Sequence, residues 1–121
     1  MAHILVVDDT AFQRKTISKL LQQRGHTTLQ AANGLEGLEQ VAADRPDCIV
    51  TDLLMPEMDG ITFIKTLKNE CYSIPVVVVS ADIQETTKAE CFSLGVKSFL
   101  NKPFKPDDLE EAVQEALEEA A

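Results

Sequence analysis

Cys48-Ile49-Val50-Thr51-Asp52 is the stretch that decides the fold of this chain. Its first four residues make a short run of strand length, and an acid stands where the run ends. A short apolar run bounded by polar residues suits a strand covered on both faces, in the middle of a parallel sheet. In open α/β sheets the carboxyl ends of the strands border the crevice that binds ligands. Alone, Asp52 reads as a turn residue, because Asp commonly opens turns. Its meaning depends on what stands at the ends of the other strands.

Upstream, His3 to Val7 is an apolar run broken by Asp8-Asp9-Thr10. From Ala11 to Arg24 the pattern becomes helical, with Phe12, Ile17, Leu20 and Leu21 on one side, Thr10 as candidate N-cap and Gly25 as stop. Thr27 to Ala31 is a short, weak strand, and Asn33-Gly34 is a turn signal. Leu35, Leu38, Val41 and Ala42 mark a second helix that Pro46 ends. Downstream of Asp52, the loop Met55 to Gly60 leads to a third helix through Ile61, Ile64 and Leu67, reaching about Asn69. Val76 to Val79 are four consecutive β-branched residues, stiff at χ1 and suited to a strand buried on both faces; the run ends at Ser80. A fourth helix is expected from about Ile83 to Leu94, with Gly95 as its stop and a thin apolar face of Ala89, Phe92 and Leu94. Ser98-Phe99-Leu100 is a short strand before Asn101-Lys102-Pro103. The last helix opens at Pro106 and carries the stripe Leu109, Ala112, Val113, Ala116 and Leu117. Glu118 and Glu119 oppose the helix dipole, so the last turn should fray.

Five strands alternating with five helices imply an α/β fold, a parallel sheet with helices on both faces. A chain of 121 residues suits one domain with one sheet. No apolar run approaches the ~20 residues that span a bilayer, and the run after His3 stops at two acids, unlike a signal peptide. No membrane insertion and a cytoplasmic location are therefore expected. Three widely spaced cysteines and two histidines argue against structural zinc and a disulfide framework, and Cys48 reads as a small core residue. The formal net charge of −9 disfavours direct binding to nucleic acid. Seven acids between Asp107 and Glu119, with no Lys or Arg among them, read as a solvated helix face.

Four strands end in residues with chemistry to offer: Asp8 and Asp9, Asp52, Ser80, and Lys102. A doubly wound sheet gathers these ends on one edge and sets the first and third strands side by side. Like charges ~4 Å apart repel by about 4 kcal/mol at an effective dielectric of 20. Carboxylates gathered so closely take up protons or hold a cation, and an oxygen-only cluster open to water suits Mg²⁺. Lys102 adds a fixed positive charge. Cations around an open position are what phosphoryl transfer needs. An aspartate needs no general base to act as a nucleophile, so Asp52 could attack phosphorus directly. Ser80 could donate to a phosphoryl oxygen, although a strand-end serine more often serves the backbone, and a lone Lys102 would read as a surface lysine.

These residues resemble the receiver domain of two-component response regulators, most closely the stand-alone type of bacterial chemotaxis. The matching pieces are Val6-Val7-Asp8-Asp9, Asp52-Leu53-Leu54-Met55-Pro56-Glu57-Met58-Asp59-Gly60, Val79-Ser80-Ala81 and Lys102-Pro103-Phe104, in family order over essentially the whole chain. The resemblance implies a flavodoxin-like sheet with strand order 2-1-3-4-5, which belongs to that family and does not follow from spacing, and one receiver domain over residues 1–121. It implies Asp52 as phosphoacceptor, Asp9 and Asp8 with the Leu54 carbonyl as Mg²⁺ ligands, Ser80 as sensor of the phosphoryl group, Lys102 as its partner, and a cis Lys102-Pro103 bond. The phosphodonor would be a sensor histidine kinase or phosphotransfer protein, and the output a downstream protein effector reading the fourth helix, fifth strand and fifth helix. The family's switch aromatic falls on Phe99, where tyrosine is frequent. Phe lacks the hydroxyl that favours a wet, outward position. Leu54 offers no group to orient a water, which predicts slow self-dephosphorylation. Alternatives within the family are a carrier in a phosphorelay, a receiver excised from a larger regulator, or a degenerate scaffold, which the intact acids, Ser80 and Lys102 oppose. Outside it, an aspartate-nucleophile phosphatase would carry a second acid at position 54, and a flavin module would carry a phosphate loop where Asp8 and Asp9 stand.

Overall fold

The computed structural model describes residues 2–82 and 84–120, with the side chain of Ala120 outside the description. Five strands alternate with five helices: β1 (His3–Val7), α1 (Ala11–Gln23), β2 (Thr27–Ala31), α2 (Gly34–Ala43), β3 (Cys48–Thr51), α3 (Gly60–Asn69), β4 (Val76–Ser80), α4 (Glu85–Ser93), β5 (Ser98–Asn101) and α5 (Pro106–Ala120). All strand pairs are parallel, in the order β2-β1-β3-β4-β5. Ile83, the expected start of the fourth helix, lies outside the described residues.

The two-residue period of a strand sorts the core into two layers. Leu5, Val7, Ile49 and Val78 face one side, under α2, α3 and the single buried residue of α4, Cys91. Ile4, Val6, Val50, Val77 and Val79 face the other, under Ile17 and Leu21 of α1 and Leu109, Val113 and Ala116 of α5. Burial pushes the Cys48 thiol up to about 12 and the Cys91 thiol up to about 11, so both act as small apolar fillers.

Register fixes the height of the strand ends. Val7 pairs with Thr51, so Asp8 and Asp52 leave the sheet side by side. Ser80 pairs with Asn101, and Lys102 follows directly. The chain winds outward from β1 in one direction and from β3 in the other, leaving the crevice between them.

Some expectations need correction. The helical pattern puts Phe12 on the inner face of α1, yet it is 76% exposed. Ile17, Ser18 and Leu21 are the buried positions, and they set a rotation that turns Phe12 outward. Leu35 is also exposed. Around α4 the expected face holds only at Leu94, which packs against the core: Ala89 and Phe92 are exposed while Cys91 is buried. Thr10 occupies the N-cap of α1 but makes no side-chain cap bond. The caps with side-chain bonds are Asn33, accepting from Glu36 N–H at 2.9 Å, and Asp59, accepting from Thr62 N–H at 2.8 Å. The last helix runs through Ala120, and Glu119 lies 3.8 Å from Lys97, a cation the helix sequence itself does not contain.

Gly25 and Gly95 stop α1 and α4 as expected, with φ of 92° and 93°. Each closes a Schellman pattern, with Gly25 N–H on Gln22 O and His26 N–H on Leu21 O, and Gly95 N–H on Phe92 O and Val96 N–H on Cys91 O. The same pattern ends α3, where Cys71 N–H meets Lys68 O and Tyr72 N–H meets Leu67 O. There Cys71, a residue with a Cβ, takes a φ of 64°.

Candidate functional site

Asp52 is held from both sides. Its backbone N–H donates to Val7 O at 3.0 Å, extending the β1–β3 pairing by one step. Its Oδ1 accepts from Leu53 N–H at 2.6 Å and Leu54 N–H at 3.4 Å, and its Oδ2 accepts from Lys102 Nζ at 2.9 Å. The loop that carries it is pinned by Gly60, whose N–H donates to Leu53 O at 2.8 Å. A Cβ on Gly60 would strike the Asp52 carbonyl oxygen and stand 2.7 Å from Leu53 Cα, so this approach needs glycine for space. Between them, Glu57 adopts a φ of 68°, a left-handed conformation costly to a residue with a side chain.

Asp8 is 1% exposed. Its Oδ1 accepts from Thr10 N–H at 2.9 Å and its Oδ2 from Lys102 Nζ at 3.2 Å. Loss of water holds its carboxyl above the ordinary aspartate value, and the Asp52 charge adds to this; the Thr10 amide and Lys102 pull the other way without prevailing. Lys102 bridges the two acids Asp8 and Asp52. Burial works against its charge, but the hydrogen bond and charge of Asp52, then those of Asp8, outweigh it and hold the ammonium above the usual lysine value. The Lys102-Pro103 bond is cis, as the resemblance implies.

Asp9 is exposed at the rim. One carboxylate oxygen from each of Asp8, Asp9 and Asp52 lies within 4.8 Å of the others. Three oxygens, one from a carboxyl short of water and one at the solvent edge, are donors of the kind a hard cation takes, with room for waters. The residues thus fit the Mg²⁺ that the resemblance implies. Leu54 is 66% exposed at the mouth.

Ser80 is fully buried. Its Oγ accepts from Asp82 N–H at 3.1 Å, so the backbone service expected of a strand-end serine is present, and the hydroxyl proton is left to donate. The loop after it is tied to the lysine strand by Lys102 N–H to Ser80 O at 2.9 Å and Asn101 Nδ2 to Asp82 O at 2.9 Å. Phe99, paired with Val78, is half-buried, and Lys88 Nζ of α4 stands 5.9 Å from its ring centroid.

Arg14 is a site residue that sequence reasoning misses. From α1 it donates through NH1 to the Asp8 carbonyl at 2.6 Å and through Nε to Gln30 Oε1 at 3.3 Å. It holds the backbone that aims Asp8. Its signal in the sequence is thin, a basic residue one turn into a helix that starts beside the acids.

Comparisons with known proteins agree with this geometry. Residues 4–114 match the response regulator receiver domain family. The chain is 37% identical over 119 residues to the chemotaxis protein CheY of Bacillus subtilis, covering 97% of this chain and 99% of that protein. It is 35% identical to sporulation initiation phosphotransferase F of the same organism, covering 94% and 92%. Among solved structures, chemotaxis response regulator CheY4 of Vibrio cholerae superposes with a TM-score of 0.88 at 32% identity, covering 97% and 99%. With the acids, the lysine and the serine gathered at one edge of a 2-1-3-4-5 sheet, the chain belongs to the response regulator receiver domain family.

Proposed function

We propose that this chain is a phosphorylation-activated signalling switch in which Asp52 accepts a phosphoryl group from a phosphohistidine. The observation that carries the reading is the state of the Asp52 carboxylate, aligned by Leu53 N–H and Lys102 beside two further acids. A carboxylate oxygen attacks phosphorus, the new P–O bond forms as the P–N bond to the donor imidazole breaks, and the imidazole leaves with the electron pair. Asp8, Asp9, Asp52 and the Leu54 carbonyl would hold Mg²⁺, which supplies charge neutralisation at the phosphoryl oxygens. Lys102 exchanges one of its carboxylate contacts for a phosphoryl oxygen, and Ser80 turns its hydroxyl proton toward another. The Ser80–Asp82 loop is bonded to Asn101, so its movement reaches β5 and Phe99. The surface of α4, β5 and α5 then changes, and a downstream protein effector reads it.

The donor is a sensor histidine kinase or a phosphotransfer protein, and the working compartment is the cytoplasm; among the described residues no helix is long and apolar enough to cross a membrane. The chain is not a conventional enzyme in this reading: it catalyses its own phosphorylation and loses the group slowly. Labelling with a small acyl phosphate, with and without Mg²⁺, tests the assignment. Wild type should be labelled in a Mg²⁺-dependent manner and Asp52→Asn should not; equal labelling of the two overturns it. The exposed, apolar Leu54 orients no water, so the isolated phosphoform should persist well beyond seconds, and Leu54→Glu should shorten its life. Decay of the wild type within seconds would refute that role. A second reading, a carrier that returns the group to a histidine, is favoured by the likeness to a sporulation phosphotransferase. Transfer of label from the phosphoform to a histidine phosphotransfer protein distinguishes it from a terminal switch.

A further inference from the structure

At the edge of the sheet opposite the acids lies a hollow of about 430 Å³, between the ends of α3 and α4 and the starts of β4 and β5. Its wall is apolar, with Leu67, Ile74 and Leu94 and the ring of Tyr72. Its polar lining is Lys68 and Lys97 together with the hydroxyl residues Tyr72 and Ser73. In a chain of net charge −9, with 11 Lys and Arg against 20 Asp and Glu, two lysines line this one hollow and no acid among the described residues does. Lys68 has no ion-pair partner among the described residues, although it stands in the last turn of α3, where a cation complements the helix end. Lys97 lies 3.8 Å from Glu119, both exposed, a contact of little worth that another carboxylate can replace.

We propose that this hollow binds a small amphipathic carboxylate, an aliphatic or aromatic body with one anionic head. The volume lies in the ~300–1,000 Å³ range of small-molecule sites, and an apolar body with few convergent polar groups is their usual chemistry. The body lies along Leu67, Ile74 and Leu94, and the head is held by Lys68 and Lys97. A neutral ligand leaves the lysines unused, and inorganic phosphate leaves the apolar wall uncovered. The site is separate from the acids, but it touches Leu94-Gly95-Val96, the turn that joins α4 to β5. Occupancy would therefore bear on the pair of elements that carries Phe99.

The test uses the unphosphorylated full chain, so its outcome does not depend on the phosphorylation reading. Backbone amide shifts are followed by NMR while octanoate, 1-octanol or inorganic phosphate is added. Octanoate should move Tyr72, Gly95 and Val96 in a saturable manner, with 1-octanol weaker by about tenfold and phosphate without effect, the size expected of two exposed charge contacts. The double variant Lys68→Gln/Lys97→Gln should weaken octanoate by about the same factor and leave 1-octanol unchanged, its dispersed spectrum confirming that it is folded. Equal binding of octanoate and 1-octanol, an unchanged octanoate affinity in the double variant, or shifts centred on Asp52 would each overturn the proposal.

Discussion

At Asp8 the loss of water prevails over a backbone amide and a lysine, and the carboxyl titrates above its ordinary value. The sign follows from linkage: a carboxyl whose pKa is raised by folding favours the folded state fully below the unfolded value, and this contribution is lost as pH rises through the folded value. Above that folded value the buried Asp8 charge is thus a source of instability beside Asp52. Asp8→Asn should raise the stability of the cation-free protein at pH 7 by on the order of 1 kcal/mol, the size of a typical single substitution. The advantage should vanish below the ordinary carboxylate range. Urea unfolding of both proteins at pH 7 and at about pH 2.5, below the ordinary carboxylate range, checks it; a variant less stable than wild type at pH 7 would show that the Lys102 contact outweighs burial. Lys102, held above its usual value, keeps its contribution throughout this window and loses it only in the alkaline range. The identity of these residues was legible, because acids, serine and lysine each follow a strand-like run. The bridging of Asp8 and Asp52 by one ammonium was not, since it depends on distances between residues 94 and 50 positions apart.

Among the elements, the helix stops divide by residue type. Two of the three Schellman ends use glycine and the third uses Cys71 at a φ of 64°. For a residue with a Cβ this conformation costs roughly 1–2 kcal/mol, which glycine avoids in the folded state but partly gives back through a freer unfolded chain. Cys71→Gly should therefore be stabilising by a few tenths to about 1 kcal/mol, read as a higher melting temperature, while Gly95→Ala should lower it. A lower melting temperature for Cys71→Gly would mean that the thiol makes packing contacts worth more than the backbone strain. The stops after α1 and α4 could be read from Gly25 and Gly95, but nothing in Glu70-Cys71-Tyr72 marks a left-handed residue. The rotation of α4 was equally hidden. Ala89 and Phe92, three apart, suggest an apolar stripe, yet Cys91 is the side chain that fits against the sheet and Phe92 is left 45% exposed. In nine residues with so few apolar groups, packing decides the rotation and pattern does not.

For the whole molecule, the fold concentrates like charge at one edge of an already acidic chain. Screening by salt relieves such repulsion weakly at a partly buried site, whereas a cation bound by Asp8, Asp9 and Asp52 relieves it directly. At a hundredfold excess over Kd, binding to the folded state alone adds about 2.7 kcal/mol. For a chain of this size that raises Tm by on the order of 10 °C. MgCl2 should do this where NaCl of equal ionic strength does not, and Asp9→Asn should remove most of the difference. Equal shifts from the two salts would exclude a cation site there. The strand order came through resemblance, but the gathering of four strand ends at one edge was legible from alternation alone, because parallel strands have no other way to end.

Parallel winding also means that every helix begins where the strands finish. The five N-termini, at Ala11, Gly34, Gly60, Glu85 and Pro106, lie toward the edge that holds the acids. Each brings a partial positive charge of roughly half a unit, carried by peptide groups. A protein of net charge −9 thus offers a new anion a local potential that its side-chain tally hides. No single substitution can delete that backbone background, so part of the repulsion among Asp8, Asp9 and Asp52 stays offset whichever side chain is changed.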